Sequence, residues 1–324
     1  MFGEATLEER RRFYAEEWSP AELPEFIVKS LSMREFGFDH SGAGPSDRYN
    51  RIASVAQLQG VLVRLAPYGV YSSVSLYRTP ERRDGWLGAE LVFDVDAKDL
   101  PVRGCGCAKG EVCELCLEEA KQHVLGIAEV LREDFGLKEM HFVYSGRGYH
   151  LRVTDREVLE LGSRERAEIL DYVAAGVVPE LSELSFGYPA HFRRRMRLLL
   201  PRLSEAVLRE AGVPKRAREV LLSEGELEEL VQGLEKGTGV LARKLKKKGT
   251  EKLMELVRRI NAEMVDAKVT VDVKRILRLP GSLHSKVSMK CMLVRKIESF
   301  DPLSQAVPKF VSERESKGIY KREI

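Results

Sequence analysis

Short apolar runs broken by turn residues dominate the first third of the chain. Residues 58–64 (LQGVLVR), 69–77 (GVYSSVSLY) and 90–96 (ELVFDVD) read as strands or strand-like runs. SGAGPSDRYN, 41–50, reads as a loop. From about Glu114 to Phe135 the period changes. Leu117, Ala120, Val124, Ile127, Ala128, Leu131 and Phe135 recur at three- and four-residue steps, which predicts an amphipathic helix closed by Gly136. HFVYSGRGYHLRV, 141–153, places two β-rich runs around a glycine-permitted turn and predicts a hairpin.

Helix formers take over from about Asp155 to Asp266, and strand patterns return at 268–279 (KVTVDVKRILRL) and 288–297 (SMKCMLVRKI). Strands, then helices, then strands predict a mixed α/β (α+β) fold in which a helical subdomain interrupts a core that the C-terminal segment completes. The expected division is residues 1–155 with 266–324 as the core and 156–265 as the mainly helical subdomain.

Alternation also sorts the charges. In a strand, residues two apart share a face, so Leu91, Phe93 and Val95 point one way while Val92, Asp94 and Asp96 point the other. Two carboxylates side by side repel, and a divalent cation removes the conflict; Mg²⁺ or Mn²⁺ suits carboxylate oxygens. VTVDVKR repeats the pattern, with Thr270 and Asp272 opposite Val269, Val271 and Val273. If the two strands are neighbours, three carboxylates converge. Three carboxylates holding two metal ions is an arrangement of nucleotidyl transfer. A D-x-D alone is more often an ordinary strand end with turn-forming aspartates.

Net charge is only +3, from 53 Lys and Arg against 50 Asp and Glu, so a nucleic-acid site must come from local clustering. With 44 % hydrophobic and 32 % charged residues the composition is that of a globular chain. The charged N-terminal stretch lacks the apolar segment of a leader, and no run approaches the roughly 18 apolar residues of a membrane span. A cytoplasmic protein with no membrane partner is the expectation. Four of the five cysteines, Cys105, Cys107, Cys113 and Cys116, fall in C-x-C-x5-C-x2-C, within a knuckle of about 100–118. In a reducing compartment that clustering points to metal, and four thiolates with no open position suit a structural Zn²⁺. Free thiols or an iron–sulfur cluster are the alternatives.

Two glycine-containing turns carry the candidate phosphate ligands. YSGRGYH holds Ser145, Arg147 and His150; RLPGSLHSK holds Arg278, His284 and Lys286. Arginine binds phosphate bidentately, lysine as a point charge, and glycine lets backbone approach closely. The basic runs HFRRRMR (191–197) and RKLKKKG (243–249) read first as solvated helix faces, with contacts to a nucleic-acid backbone as the alternative.

Taken together, FDVDAKDL, VYSGRGYHLRV, VTVDVKRILRLPGSLHSK and FDPLSQAVPKF resemble the motifs of the small, catalytic subunit of archaeal and eukaryotic DNA primases, in its archaeal form. The motifs span positions 91 to about 309. The resemblance implies a catalytic core with an RNA-recognition-motif-like half, a zinc knuckle and a helical insertion. It implies Asp94, Asp96 and Asp272 as ligands of two catalytic Mg²⁺ or Mn²⁺. It implies Ser145, Arg147, His150, Arg278, His284 and Lys286 around the triphosphate of an incoming nucleotide. It implies a heterodimer with a primase large subunit, a single-stranded DNA template and nucleoside triphosphate substrates. Archaeal relatives often have a histidine among the zinc ligands, where this chain offers four cysteines. The expected activity is template-directed primer synthesis for DNA replication. A repair or end-joining polymerase of the same superfamily is the runner-up, and a non-enzymatic zinc-containing nucleic-acid-binding protein is the reading from another class.

Overall fold

The strands form where one sheet face has to be buried, and they lie within residues 2–108, 110–180 and 186–316, the parts that this computed structural model describes. In chain order they are β1 (Glu35–Asp39), β2 (Asp47–Arg51), β3 (Gly69–Ser73), β4 (Ser75–Thr79), β5 (Asp84–Ala89), β6 (Leu91–Asp96), β7 (Met140–Tyr144), β8 (Gly148–Val153), β9 (Ile276–Arg278), β10 (Leu283–His284), β11 (Met289–Lys290) and β12 (Met292–Val294). One antiparallel sheet has the order β12-β7-β8-β6 and another the order β2-β1-β3-β9. β4–β5 and β10–β11 are two-stranded ribbons. The architecture is mixed α/β.

The β6 alternation holds. Leu91, Phe93 and Val95 are fully buried and share one core with Leu117, Ala120, Val124 and Leu131 of the helix Glu114–Glu133, which packs on β6 and β8. Burying such side chains stabilises by about 1.5–3 kcal/mol each, which pins the face the acids occupy. The hairpin also forms, with β7 and β8 joined through Ser145, Gly146 and Arg147. Residues 69–77 resolve into β3 and the start of β4.

Two strand expectations are corrected. Residues 58–64 lie inside a helix, Val55–Leu65. Ser54 caps it by accepting from the Gln57 N–H at 3.1 Å, and Leu58 and Leu62, one turn apart, are fully buried. Residues 267–271 form a short helix, Ala267–Val271, so in 268–279 only Ile276–Arg278 is a strand. Asp266 caps this helix, its Oδ1 accepting from the Lys268 N–H at 2.9 Å.

A second core gathers Val102, Ala175 and residues from Phe192 to Met264, most of them on the helices Gly187–Leu199, Lys215–Leu222, Glu224–Lys236 and Gly239–Glu263, while Val158, Leu170, Val173 and Ala174 pack in the first. The run 191–197 has His191, Arg193 and Arg195 buried, and Arg194 pairs with Glu129 at 2.8 Å. In 243–249, Lys244 pairs with Glu226 and Glu229, each at 2.6 Å. Both runs are therefore partly committed within the fold.

The first residues close over the C-terminal part. Ala5 donates its N–H to the Ser285 carbonyl at 2.7 Å, Ser288 Oγ donates to the Gly3 carbonyl at 2.8 Å, and the Leu283 N–H reaches Tyr14 Oη at 3.2 Å. No helix among the described residues is long and apolar enough to cross a membrane.

Candidate active site

β6 delivers Asp94 and Asp96 to the sheet face opposite the core, opposite His150 and Gly148 of β8 in register. Asp94 retains 19 % side-chain exposure and Asp96 30 %. Burial first, then the neighbouring charges of Asp96 and Asp266, push the Asp94 carboxyl up to about 8. Lys98 offsets only part of this; it stands 3.1 Å from Asp96 and also pairs with Asp99. The acids are short of positive charge.

The third carboxylate beside Asp94 is Asp266, not Asp272. The Asp266 N–H donates to the Asp94 carbonyl at 3.0 Å, which fixes the start of the short helix against β6. Asp272 lies at the far end of that helix. Its side chain is half exposed, its Oδ1 accepts from the Lys274 N–H at 2.9 Å, and Arg275 stands 4.0 Å away. The expected strand face for Asp272 is lost because residues 267–271 coil, and coiling carries Asp272 about one and a half turns away from Asp266. The available sequence signal for Asp266 was its type and place: an aspartate before Ala-Lys at the start of a short segment is a helix cap.

His150 reaches towards the acids, with its Nε2 3.4 Å from Asp94 Oδ1. Burial, then Arg152 and Arg278, push its pKa down to about 3, so the ring is neutral near pH 7. The hairpin turn is held tightly. Gly146 has φ +105°, and a Cβ there would meet the His284 ring at 2.7 Å; a Cβ on Gly148 would collide with the Val95 carbonyl. Ala97 donates its N–H to the Arg147 carbonyl at 3.0 Å, and Ser145 donates its N–H to the Gly148 carbonyl at 2.9 Å.

The second basic turn packs against this hairpin. His284 is buried, and burial together with Arg278, Arg147 and Lys286 holds its pKa well below the usual range. The structure thus brings Arg147, Arg278, His284 and Lys286 into one neighbourhood, with His150 close to Arg278. Arg278 is steadied by Tyr71, whose hydroxyl accepts at 3.1 Å and whose ring lies 5.0 Å below the guanidinium. Arg147 Nε, His150 Nδ1 and His284 Nδ1 are buried without a hydrogen-bond partner among the described residues. Ser145 is half-buried at the edge of the turn.

The loop leaving β6 carries the four thiols. The sulfurs of Cys105, Cys107, Cys113 and Cys116 all lie within 4.8 Å of one another, a group that could hold a metal ion. Cys105 and Cys116 are 3.2 Å apart and Cys113 and Cys116 3.6 Å. Against burial, hydrogen bonds from the Cys107 backbone and the other thiols draw the Cys105 thiol down to about 7. Arg103 laces the loop, donating to the carbonyls of Glu111, Cys107 and Ala108.

The family described as DNA primase small subunit matches residues 93–296, a span that takes in the acids, the thiols, the hairpin and the second basic turn. Over 330 residues the chain is 43 % identical to the DNA primase small subunit PriS of Methanobrevibacter smithii, covering 97 % of this chain and 99 % of the relative. The corresponding subunit of Methanothermobacter thermautotrophicus is 46 % identical over 336 residues, covering 97 % and 99 %. That of Pyrococcus horikoshii is 42 % identical over 346 residues, covering 99 % and 98 %. Among solved structures, the polymerase domain of Mycobacterium tuberculosis Ligase D in complex with DNA aligns over 97 % of this chain and 90 % of that one, at 14 % identity and a TM-score of 0.46, too slight a likeness to bear on function. Matched across its site and along nearly its whole length, the chain belongs to the DNA primase small-subunit family.

Proposed function

We propose that this chain joins nucleoside triphosphates on a single-stranded DNA template to make replication primers, with Asp94, Asp96 and Asp266 as the acids of its reaction centre. As a member of its family it is a nucleotidyltransferase and the catalytic subunit of a primase. The carrying observation is the Asp94 carboxyl, pushed up to about 8 by burial and by two neighbouring acids with too little positive charge to balance them. Such a group fits divalent cations, Mg²⁺ or Mn²⁺, held by the three carboxylates. When bound, a pair of such ions activates the attacking hydroxyl and stabilises the leaving pyrophosphate.

The chain's own residues supply the rest. Neutral His150 stands with Nε2 3.4 Å from Asp94 Oδ1 and limits the directions that carboxylate can take. Arg147, Arg278 and Lys286 present positive charge to a triphosphate, with Ser145 and His284 at its margin; the orphaned nitrogens of Arg147, His150 and His284 support a polar ligand there. The tight seat of Gly148 on the backbone of β6 keeps the basic turn and the acids at a fixed separation. Asp272 stands outside the acid group. The four thiols suit a structural Zn²⁺, whose tetrahedral edges are about 3.8 Å for Zn–S bonds of about 2.3 Å, and zinc there would pin the loop that leaves β6. Residues 1–155 with 266–324 would form the catalytic core and 156–265 the helical subdomain; a large subunit would complete a cytoplasmic heterodimer.

The test is incorporation of labelled nucleotide on unprimed single-stranded DNA, run beside extension of gapped duplexes. Primer synthesis should fall at least about a hundred-fold in Asp266→Asn and stay within a few-fold of the parent in Asp272→Asn. The reverse pattern would sink the acid assignment. Extension of gaps without any unprimed synthesis would move the chain to end repair.

A further inference from the structure

A second basic, aromatic cleft lies away from the triphosphate turns. It encloses about 670 Å³ between the β4–β5 ribbon, strand β2 at Tyr49 and the segment after the Ala267–Val271 helix. Three cations, Arg82, Arg83 and Lys274, line it with Tyr49, Tyr77 and Trp86, and among the described residues no carboxylate does. Trp86 is 42 % exposed and Tyr49 52 %, so both side chains are open to a ligand in the cleft.

These rings are fixed in place. The Trp86 Nε1–H donates to Ser75 Oγ at 3.0 Å, and Ser75 Oγ donates to the Val273 carbonyl at 2.6 Å. Tyr49 has φ +65° and Arg83 φ +54°, a backbone region rarely occupied by residues other than glycine. Register shifts interrupt both β1–β2 and β4–β5 beside them, a device that re-aims side chains. Arg83 lies 4.8 Å over the Tyr49 ring and is tied to Glu35 at 2.7 Å. Arg82 and Lys274 are exposed, with no ion pair among the described residues. So the cleft holds one cation in place and leaves two free.

We propose that this cleft is a stacking platform for the single-stranded DNA template, a reading that rests on the template-directed function above. Unpaired bases stack on Trp86, beside Tyr49, whose ring already carries Arg83 and Arg48 at 4.8 and 5.8 Å, and Arg82 and Lys274 meet the phosphates; a ring beside a cationic track is what single strands require. Its position fits. The helix that Asp266 starts ends at Val271, and Lys274 follows three residues later, so the platform sits beyond one short helix of about 7.5 Å from the acids.

The chain has two tryptophans, and Trp18 is buried, so Trp86 emission reports on the cleft. A labelled oligothymidylate should quench that emission in the full chain. Trp86→Phe should abolish the quench while keeping affinity within about two-fold, and Trp86→Ala should weaken binding on the order of ten-fold. The double variant Arg82→Glu, Lys274→Glu should flatten the salt dependence of log K by about 1.4, at about 0.7 per phosphate contact. An abasic oligonucleotide should bind the parent more weakly than oligothymidylate, and Trp86→Ala should erase that preference. In primer synthesis Trp86→Ala should raise the template KM and leave kcat intact. Equal binding of the abasic strand to the parent, or parental affinity in Trp86→Ala, overturns the platform. A parent that makes no primers yet shows the Trp86 quench removes the function and leaves the platform standing.

Discussion

Glu90 and Asp94 leave the same face of one run of chain, four residues apart, and meet opposite surroundings. Burial would push the Glu90 carboxyl up, but Arg152 and Arg34 hold it below its ordinary value. Arg152 Nε stands 2.6 Å from it, Arg34 pairs with its other oxygen, and Arg166 donates to its backbone carbonyl at 2.7 Å. Among the described residues no arginine pairs with Asp94; its nearest company is a neutral histidine and two more acids. A buried carboxylate with its cations built in belongs to the framework. One that lacks them is neutralised from elsewhere, by a proton or by a cation that arrives. Residue type and burial do not separate the two; the neighbours do.

Breaking each end of the strand should therefore damage different properties. Asp94→Asn should reduce primer synthesis by on the order of 10³-fold or more while the circular dichroism spectrum stays parental. Glu90→Gln should do the converse. Removing the acid leaves buried guanidinium groups without their partner, at a cost of about 3–5 kcal/mol read from urea unfolding, with activity per folded molecule largely kept. Equal loss of stability in both variants would erase the contrast.

pH sharpens it further. With no metal bound, the folded chain keeps a proton on Asp94 up to about pH 8 that the unfolded chain releases near 4. Between those limits the folded state binds the extra proton, so this group's contribution to stability falls as pH rises. Asp94→Asn should remove that slope, and in chelator it should gain about 1–3 kcal/mol over the parent above pH 8, since a carboxyl still 19 % open to water feels less than the full shift. Unfolding at about pH 5 and pH 9 measures it, and added Mg²⁺ should cancel the gain. The smallest effect belongs to a solvated pair. Arg164 and Glu168 meet at 3.1 Å but are 86 % and 66 % exposed, and Arg164→Ala should leave the melting temperature unchanged within error.

Much of this site was legible in the sequence because strand periodicity carries it. The period of two put both β6 acids on one face, and Gly146 and Gly148 marked the turn that seats against them. The clustered cysteines needed only spacing. The third acid was hidden for a physical reason. KVTVDV is rich in β-branched residues, and its alternation fits a strand, yet the segment is too short for propensity to decide its shape. Asp266 caps one turn, and Val269 and Thr270 bury in that turn instead. The helix at 55–65 was missed similarly. Its period shows only when Ser54 and Val55 are read with Leu58 and Leu62, and a window opened at Leu58 leaves out the cap. The arginines around Glu90 come from positions 34, 152 and 166, and separations that long leave no local pattern.

The strap of the first residues over the second basic turn has a consequence for synthesis on the ribosome. Gly3, Ala5 and Tyr14 take their partners from residues 283 to 288, made some 270 residues later. At about 5–20 residues per second those early groups wait on the order of tens of seconds for their bonds. These early groups thus complete their bonds only after the basic turn itself has been made.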